Sequence, residues 1–141
     1  MVFKRVLVPF DGSEQSAKAL DIAATLAKGE GAELTVLNVA EYVPVPGSPT
    51  STIYLIDQGI AQMQELTMKK AEHILAEHGV KAGLVAKKGH PADEILNYAK
   101  RQKMDLIVMG NRGVSGLERF FLGSVSDSVA HHAHCAVLIV R

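Results

Sequence analysis

Leu106-Ile107-Val108-Met109 is an apolar run that stops on Gly110, and it reads as a strand. A glycine-rich loop follows, then Ser124 to His134 reads as a helix and Ala136 to Val140 as a second apolar strand. The same alternation extends back to the start of the chain. Val6-Leu7-Val8, closed by Pro9, reads as a strand buried on both faces. Ser13 is a good N-cap, with Ala17, Leu20, Ala24 and Ala27 at helical spacing behind it, and Gly29 and Gly31 are expected to stop that helix. Glu33 to Val39, with β-branched Thr35, Val36 and Val39, reads as a strand.

Pro44, Pro46, Gly47 and Pro49 predict a loop over residues 41–52. Ile56, Ile60, Met63, Thr67, Ala71 and Ile74 mark one face of a long helix ending at Gly79, and that face is expected to be core. Ala82 to Ala86 is a weaker strand. His90-Pro91 opens a helix with Asp93 and Glu94 near the positive end of its dipole and with Ile95, Leu96 and Ala99 on its buried side. The order βαβαβαβαβ implies one parallel sheet with helices on both faces, joined by right-handed crossovers. In such sheets ligands sit beyond the carboxyl ends of the strands, where the strand order reverses.

Composition narrows the function classes. The 141 residues suit a single domain, and 48% hydrophobic with 21% charged residues is ordinary for a globular one. Fifteen Lys and Arg balance fifteen Asp and Glu, so no overall basic field exists to hold nucleic acid or an anionic membrane. The single cysteine, Cys135, excludes an intramolecular disulfide and suits a reducing compartment. No stretch approaches the roughly 18 apolar residues of a membrane helix, and Pro9, Asp11 and Gly12 break the opening run too early for a signal peptide. A cytoplasmic location is expected.

Two segments fall at strand ends. Asp11, in Pro9-Phe10-Asp11-Gly12-Ser13, can accept from a sugar hydroxyl or a base amino group, although Asp-Gly-Ser fits a plain turn before a capped helix equally well. The stronger signal is Gly110-Asn111-Arg112-Gly113, nine further residues, then Gly123-Ser124. Glycines let backbone approach an anion closely. Gly123-Ser124 opens a helix whose first amides lack carbonyl partners, so a phosphate there would meet backbone donors and the hydroxyls of Ser124 and Ser126, with Arg112 adding charge. No Lys precedes Ser124, which excludes a Walker loop, and the spacing is not that of a dinucleotide fingerprint.

The G-x2-G-x9-G-S spacing resembles the nucleotide loop of the universal stress protein family. Val6-Leu7-Val8-Pro9-Phe10-Asp11-Gly12-Ser13, Ala92-Asp93-Glu94-Ile95, Asp105 to Gly110 and Cys135 to Val140 also fit that family's pattern, so the likeness spans residues 1–141. One departure is Ala136, where a proline is common. The resemblance implies a doubly wound, five-stranded parallel sheet in order 3-2-1-4-5. With the glycine pattern complete it implies ATP binding, or AMP or ADP, with Mg2+ or Mn2+ carried through the phosphates. By family position Asp11 and the backbone of Val39 would hold adenine and ribose, with Pro9 beside them. Met109 and Gly110 would line the ribose, and Arg112, Gly113, Gly123, Ser124, Val125 and Ser126 the phosphates. The same resemblance implies a homodimer through Val137, Leu138, Ile139 and Val140.

The expected role is a nucleotide-dependent regulatory switch in stress response, with no catalytic residue. The alternative is a low-turnover ATP hydrolase or nucleotidyl-transfer enzyme, which would need a positioned Lys or a second acidic cluster for metals. His131 and His134, three apart beside Cys135, would share a helix face, but in a last turn histidine complements the helix dipole, and no metal site is expected there.

Overall fold

The computed structural model describes residues 2–42, 45–111 and 123–141. Strand β1 (Arg5–Pro9) is built on Val6-Leu7-Val8. Helix α1 (Glu14–Glu30) begins at Ser13, whose Oγ accepts from the Ser16 amide at 3.2 Å, and ends at Gly31 in the left-handed region, φ 69°. Gly29, expected to stop it, lies inside the helix; only the positive φ that Gly31 adopts ends it, because an L side chain would clash there.

Strand β2 (Glu33–Glu41) runs two residues beyond Val39, and helix α2 (Thr50–His78) begins inside the predicted loop. Pro49 is its N-cap residue, and no breaker lies between Thr50 and Ile56 to delay the start. Strand β3 (Gly83–Gly89) is shifted toward Lys87 and Lys88 relative to the expected Ala82–Ala86. Among the described residues it is an edge strand paired with β2, where Lys88 reaches Asp57 of α2 at 3.2 Å and Lys87 lies over the Tyr98 ring at 6.0 Å. Helix α3 (Pro91–Arg101) carries Pro91 in its first turn, and strand β4 (Leu106–Gly110) is buried along its whole length. Helix α4 (Ser124–His132) stops two residues short of His134 because Ala133 is extended, and strand β5 (Ala136–Val140) closes the chain.

The five parallel strands lie in the order β3-β2-β1-β4-β5, as the resemblance implied. The two-residue period of β1 divides the core. Val6 and Val8 face α1 and the C-terminal part of α2, with Leu34, Val36, Leu106 and Val108 beside them. Leu7 faces α3 and α4 together with Leu37, Ile107 and Met109. Each helix layer covers one side, which makes a doubly wound sandwich whose strand order reverses between β1 and β4.

One expectation about α2 is overturned. Of its apolar stripe, Ala71 is buried and Ile60, Thr67 and Ile74 are half-buried, but Ile56 and Met63 are exposed. The helix packs on α1 and β2, near the end of the sheet, and along its N-terminal half an open gap separates Ile56 and Met63 from Asn38 and Ala40 of β2.

Candidate functional site

The turn after β1 is built by local hydrogen bonds. The Phe10 amide donates to the Leu37 carbonyl at 2.8 Å, extending the β1–β2 pairing past Pro9. Gly12 takes φ 84°, and Asp11 Oδ1 accepts from the Ser13 amide at 2.9 Å, so the Asx turn read from Asp-Gly-Ser is present. Asp11 is nonetheless exposed at the mouth of a cleft, and Ser13 and Ser16 of the α1 start line it too.

A pair of side-chain amides, buried Asn38 and half-buried Gln64, fixes the Phe10 carbonyl. Asn38 Nδ2 donates to it at 2.9 Å, and Gln64 Nε2 of α2 donates to Asn38 Oδ1 at 3.0 Å and to the Lys87 carbonyl at 2.9 Å. Neither residue was expected from sequence. Asn38 interrupts an otherwise apolar strand, and a polar residue within a two-sided strand was the signal available.

At the end of β4, Gly110 has a different reason to be glycine than the one read from sequence. A Cβ on it would come within 2.7 Å of the carbonyl carbon and Cβ of Gln15, so it lets α1 press directly onto the strand. Gly110 also lines the cleft. Asn111 is buried; its amide donates to the Val140 carbonyl and its Oδ1 accepts from the Gly123 amide, both at 2.8 Å. That second bond ties the two ends of the loop together. Arg112 and Gly113 lie outside the described residues.

Gly123, not Ser124, is the N-cap of α4 and offers no side-chain cap. Its carbonyl accepts from the Asp127 amide at 2.8 Å and the Ser126 hydroxyl at 3.0 Å. Ser126 is therefore a buried brace of the first turn, whereas Ser124 is exposed. The amides of the first turn carry the partial positive charge of the helix end.

These parts meet in one cleft at the switch point, with about 550 Å³ between its walls, part of it open to solvent. Pro9, Asp11, Val39, Met109, Gly110, Val125 and Ser126, all named from sequence, line it. Gly123 and Ser124 adjoin it at the α4 start. Leu37 on β2, Pro91 and Ile95 on α3, and Phe10 complete an apolar lining that sequence reading did not assign. The N-termini of α1, α3 and α4 all reach this one cleft, an arrangement that favours an anionic ligand with a flat apolar part.

The histidines at the other end of α4 do not assemble a site. His131 Nδ1 lies 2.8 Å from the Asp127 carbonyl and His132 Nδ1 2.8 Å from the Ser128 carbonyl, so each ring caps its own helix by donating Nδ1–H. His134 lies beyond the helix end, so it shares no helix face with His131. Among the described residues no group of three or more His, Cys, Asp or Glu could hold a metal ion. Burial, and then the Asp105 carboxylate, push the Cys135 thiol above its ordinary range, which opposes thiolate chemistry. No described helix is long and apolar enough to cross a membrane.

Residues 2–141 match the universal stress protein family. The universal stress protein YxiE of Bacillus subtilis is 44% identical over 148 aligned residues, covering 99% of this chain and 100% of that one. The solved structure of the universal stress protein UspA from Lactobacillus plantarum superposes with a TM-score of 0.82 at 26% identity, covering 100% of this chain and 99% of its own. A universal stress protein crystallised in complex with cAMP superposes with a TM-score of 0.72 at 30% identity, covering 100% of this chain and 98% of its own.

Proposed function

Because the chain belongs to the universal stress protein family, we propose that it binds an adenine nucleotide, ATP or its AMP and ADP relatives, in the β1–β4 cleft and acts as a homodimeric, nucleotide-dependent regulator. The observation that carries this reading is the convergence of Asp11 from the turn after β1, Val39 of β2 and Met109 and Gly110 of β4 on one cleft with Val125 and Ser126 of a helix start. The cAMP complex of a 30% identical relative adds support for the ligand class.

In this reading Asp11 and the Val39 backbone take the nucleoside, with Pro9 beside them. The apolar lining of Leu37, Ile95 and Met109 receives the base and ribose. The phosphates go to the free end of α4. The Gly123 amide is already bonded to Asn111, so the amides of Ser124 and Val125 and the Ser124 hydroxyl are the donors, with Arg112 and Gly113 assigned to the same ligand. Mg2+ or Mn2+ would ride on the phosphates. The protein is assigned to the cytoplasm and to regulation, with at most slow hydrolysis, because the loop supplies no Lys before Ser124. The β5 edge, Val137 to Val140 with Leu138 39% exposed, is the proposed dimer seam.

The test is calorimetric titration of the wild type with ATP and with adenosine, after mass analysis of any small molecule released on denaturation. Asp11→Ala is expected to weaken both ligands alike. Gly123→Val is expected to weaken ATP while sparing adenosine, and Ser124→Ala to cost ATP about tenfold or less, as one hydrogen bond is worth about 1 kcal/mol. Wild-type ATP binding by a folded Gly123→Val protein would overturn the phosphate assignment. No binding of either ligand by the wild type would overturn the whole reading.

A further inference from the structure

The N-terminal half of α2 exposes apolar surface for which the fold has no use. Leu55, Ile56, Met63 and Leu66 are 47–67% exposed and form one strip, with Leu55 and Leu66 roughly opposite the buried Ala71 and Leu75 and with Ile56 and Met63 on the flank between. Gly59 lies in the middle of this strip, and a Cβ there would meet nothing within 4 Å. A glycine inside a helix costs about 1 kcal/mol against alanine, and no contact among the described residues accounts for this one. What it leaves is a shallow notch between apolar ridges. We propose that this face is a homotypic interface, in which α2 of one copy packs antiparallel on α2 of a second about Gly59.

Area, charge and geometry favour a second copy as the occupant. The four side chains present on the order of 500 Å² per copy, so a twofold pairing that covers them together with its rim approaches the roughly 1,000 Å² of a stable interface. The chain carries no net charge, so two copies do not repel. Two charge pairs flank the strip, Glu65 with Lys69 at 3.9 Å and Asp57 with Lys88 at 3.2 Å. Neither has the strip the basic excess that would direct it to an anionic membrane. A twofold axis at Gly59 sets Leu55 of one copy opposite Met63 of the other and opposes the two helix dipoles. Self-complementary contact of this kind gives one additional twofold seam, through which β5-paired dimers join into a larger assembly.

This interface is independent of nucleotide and of the β5 seam, so the two are separated by sedimentation of variants at tens of micromolar. Leu138→Lys is expected to remain a dimer, held by α2. Adding Met63→Lys or Leu66→Lys in that background is expected to give a monomer with unchanged melting of secondary structure, since both positions are exposed. A monomeric Leu138→Lys protein would overturn the α2 interface and leave the β5 seam standing. So would a double variant that stays dimeric, because the association would then run through another surface. Vesicle flotation with anionic lipid that is abolished by Met63→Lys would also overturn it, in favour of a membrane surface.

Discussion

Helices α1 and α2 lie in the same layer and differ in almost every physical respect. In α1, Ala19, Leu20, Ala23 and Ala24 are fully buried over the centre of the sheet, and small residues let the helix sit close enough for Gln15 to touch Gly110. Its first turn is capped by Ser13. Helix α2 is 29 residues long, yet only Ala71 and Leu75 are buried, and no side chain caps its start. Its C-terminal end is tied to α1, with His78 Nε2 2.9 Å from Asp21 Oδ1 and Lys28 Nζ donating to the His78 carbonyl at 3.2 Å. Gln64 holds its middle. What separates the two is position over the sheet: a helix above the centre is buried by strands on both sides, and one near the edge runs out of sheet. Stability is thus concentrated under α1, while α2 is left with exposed apolar surface.

The comparison can be broken most severely at Gly110. Gly110→Val drives a branched side chain into the backbone of α1 and is expected to cost about 4 kcal/mol, read from denaturant unfolding. Gly83→Ala, whose Cβ would rest 3.7 Å from Thr35, should be close to neutral in the same measurement. A mild effect at Gly110 would mean that α1 is not pinned to β4. Next in size, Leu20→Ala is expected to cost about 3 kcal/mol, because its side chain is wholly buried, whereas Leu66→Ala should leave the stability of the single chain within about 0.5 kcal/mol. Equal losses at the two positions would contradict the asymmetry of the helices.

Smaller effects sharpen the contrast at the helix ends and on the exposed strip. Ser13→Ala removes the cap of α1 and should lower stability by about 1 kcal/mol in thermal melting. Gly59→Ala should raise the stability of the monomer by up to about 1 kcal/mol, since it removes a helix-interior glycine and meets no neighbour. A Gly59→Ala protein that lost stability would show that the notch serves the fold of the single chain.

How far residues announced themselves depended on what their role required of local chemistry. Leu106 to Gly110 was legible because a strand covered on both faces must be apolar at every position, and the structure buries all of it. Ser13 and Gly31 were legible because capping and positive φ are satisfied within a few residues. The placement of Asp11 and Ser126 around one cleft also follows from sequence, since each stands directly at a strand or helix end on the side where the sheet reverses. Asn38, Gln64 and Asn111 were not legible. Their side-chain hydrogen bonds join residues 12 to 28 positions apart, and nothing in a local window tells which distant group an amide will meet.

By itself, then, the sequence determined the alternation of strands and helices, the apolar faces and the ends that could receive an anion, because period, capping and chain punctuation are local properties. Only the tertiary structure decided which apolar faces would be covered. The 3.6-residue period places Ile56 and Met63 on the flank of the side that carries Ala71, but it does not state where the sheet ends. Likewise a glycine after a strand shows that a Cβ is unwelcome, and not what it would strike. At Gly110 it is the backbone of Gln15, brought there by a helix whose place is set by packing across the whole domain.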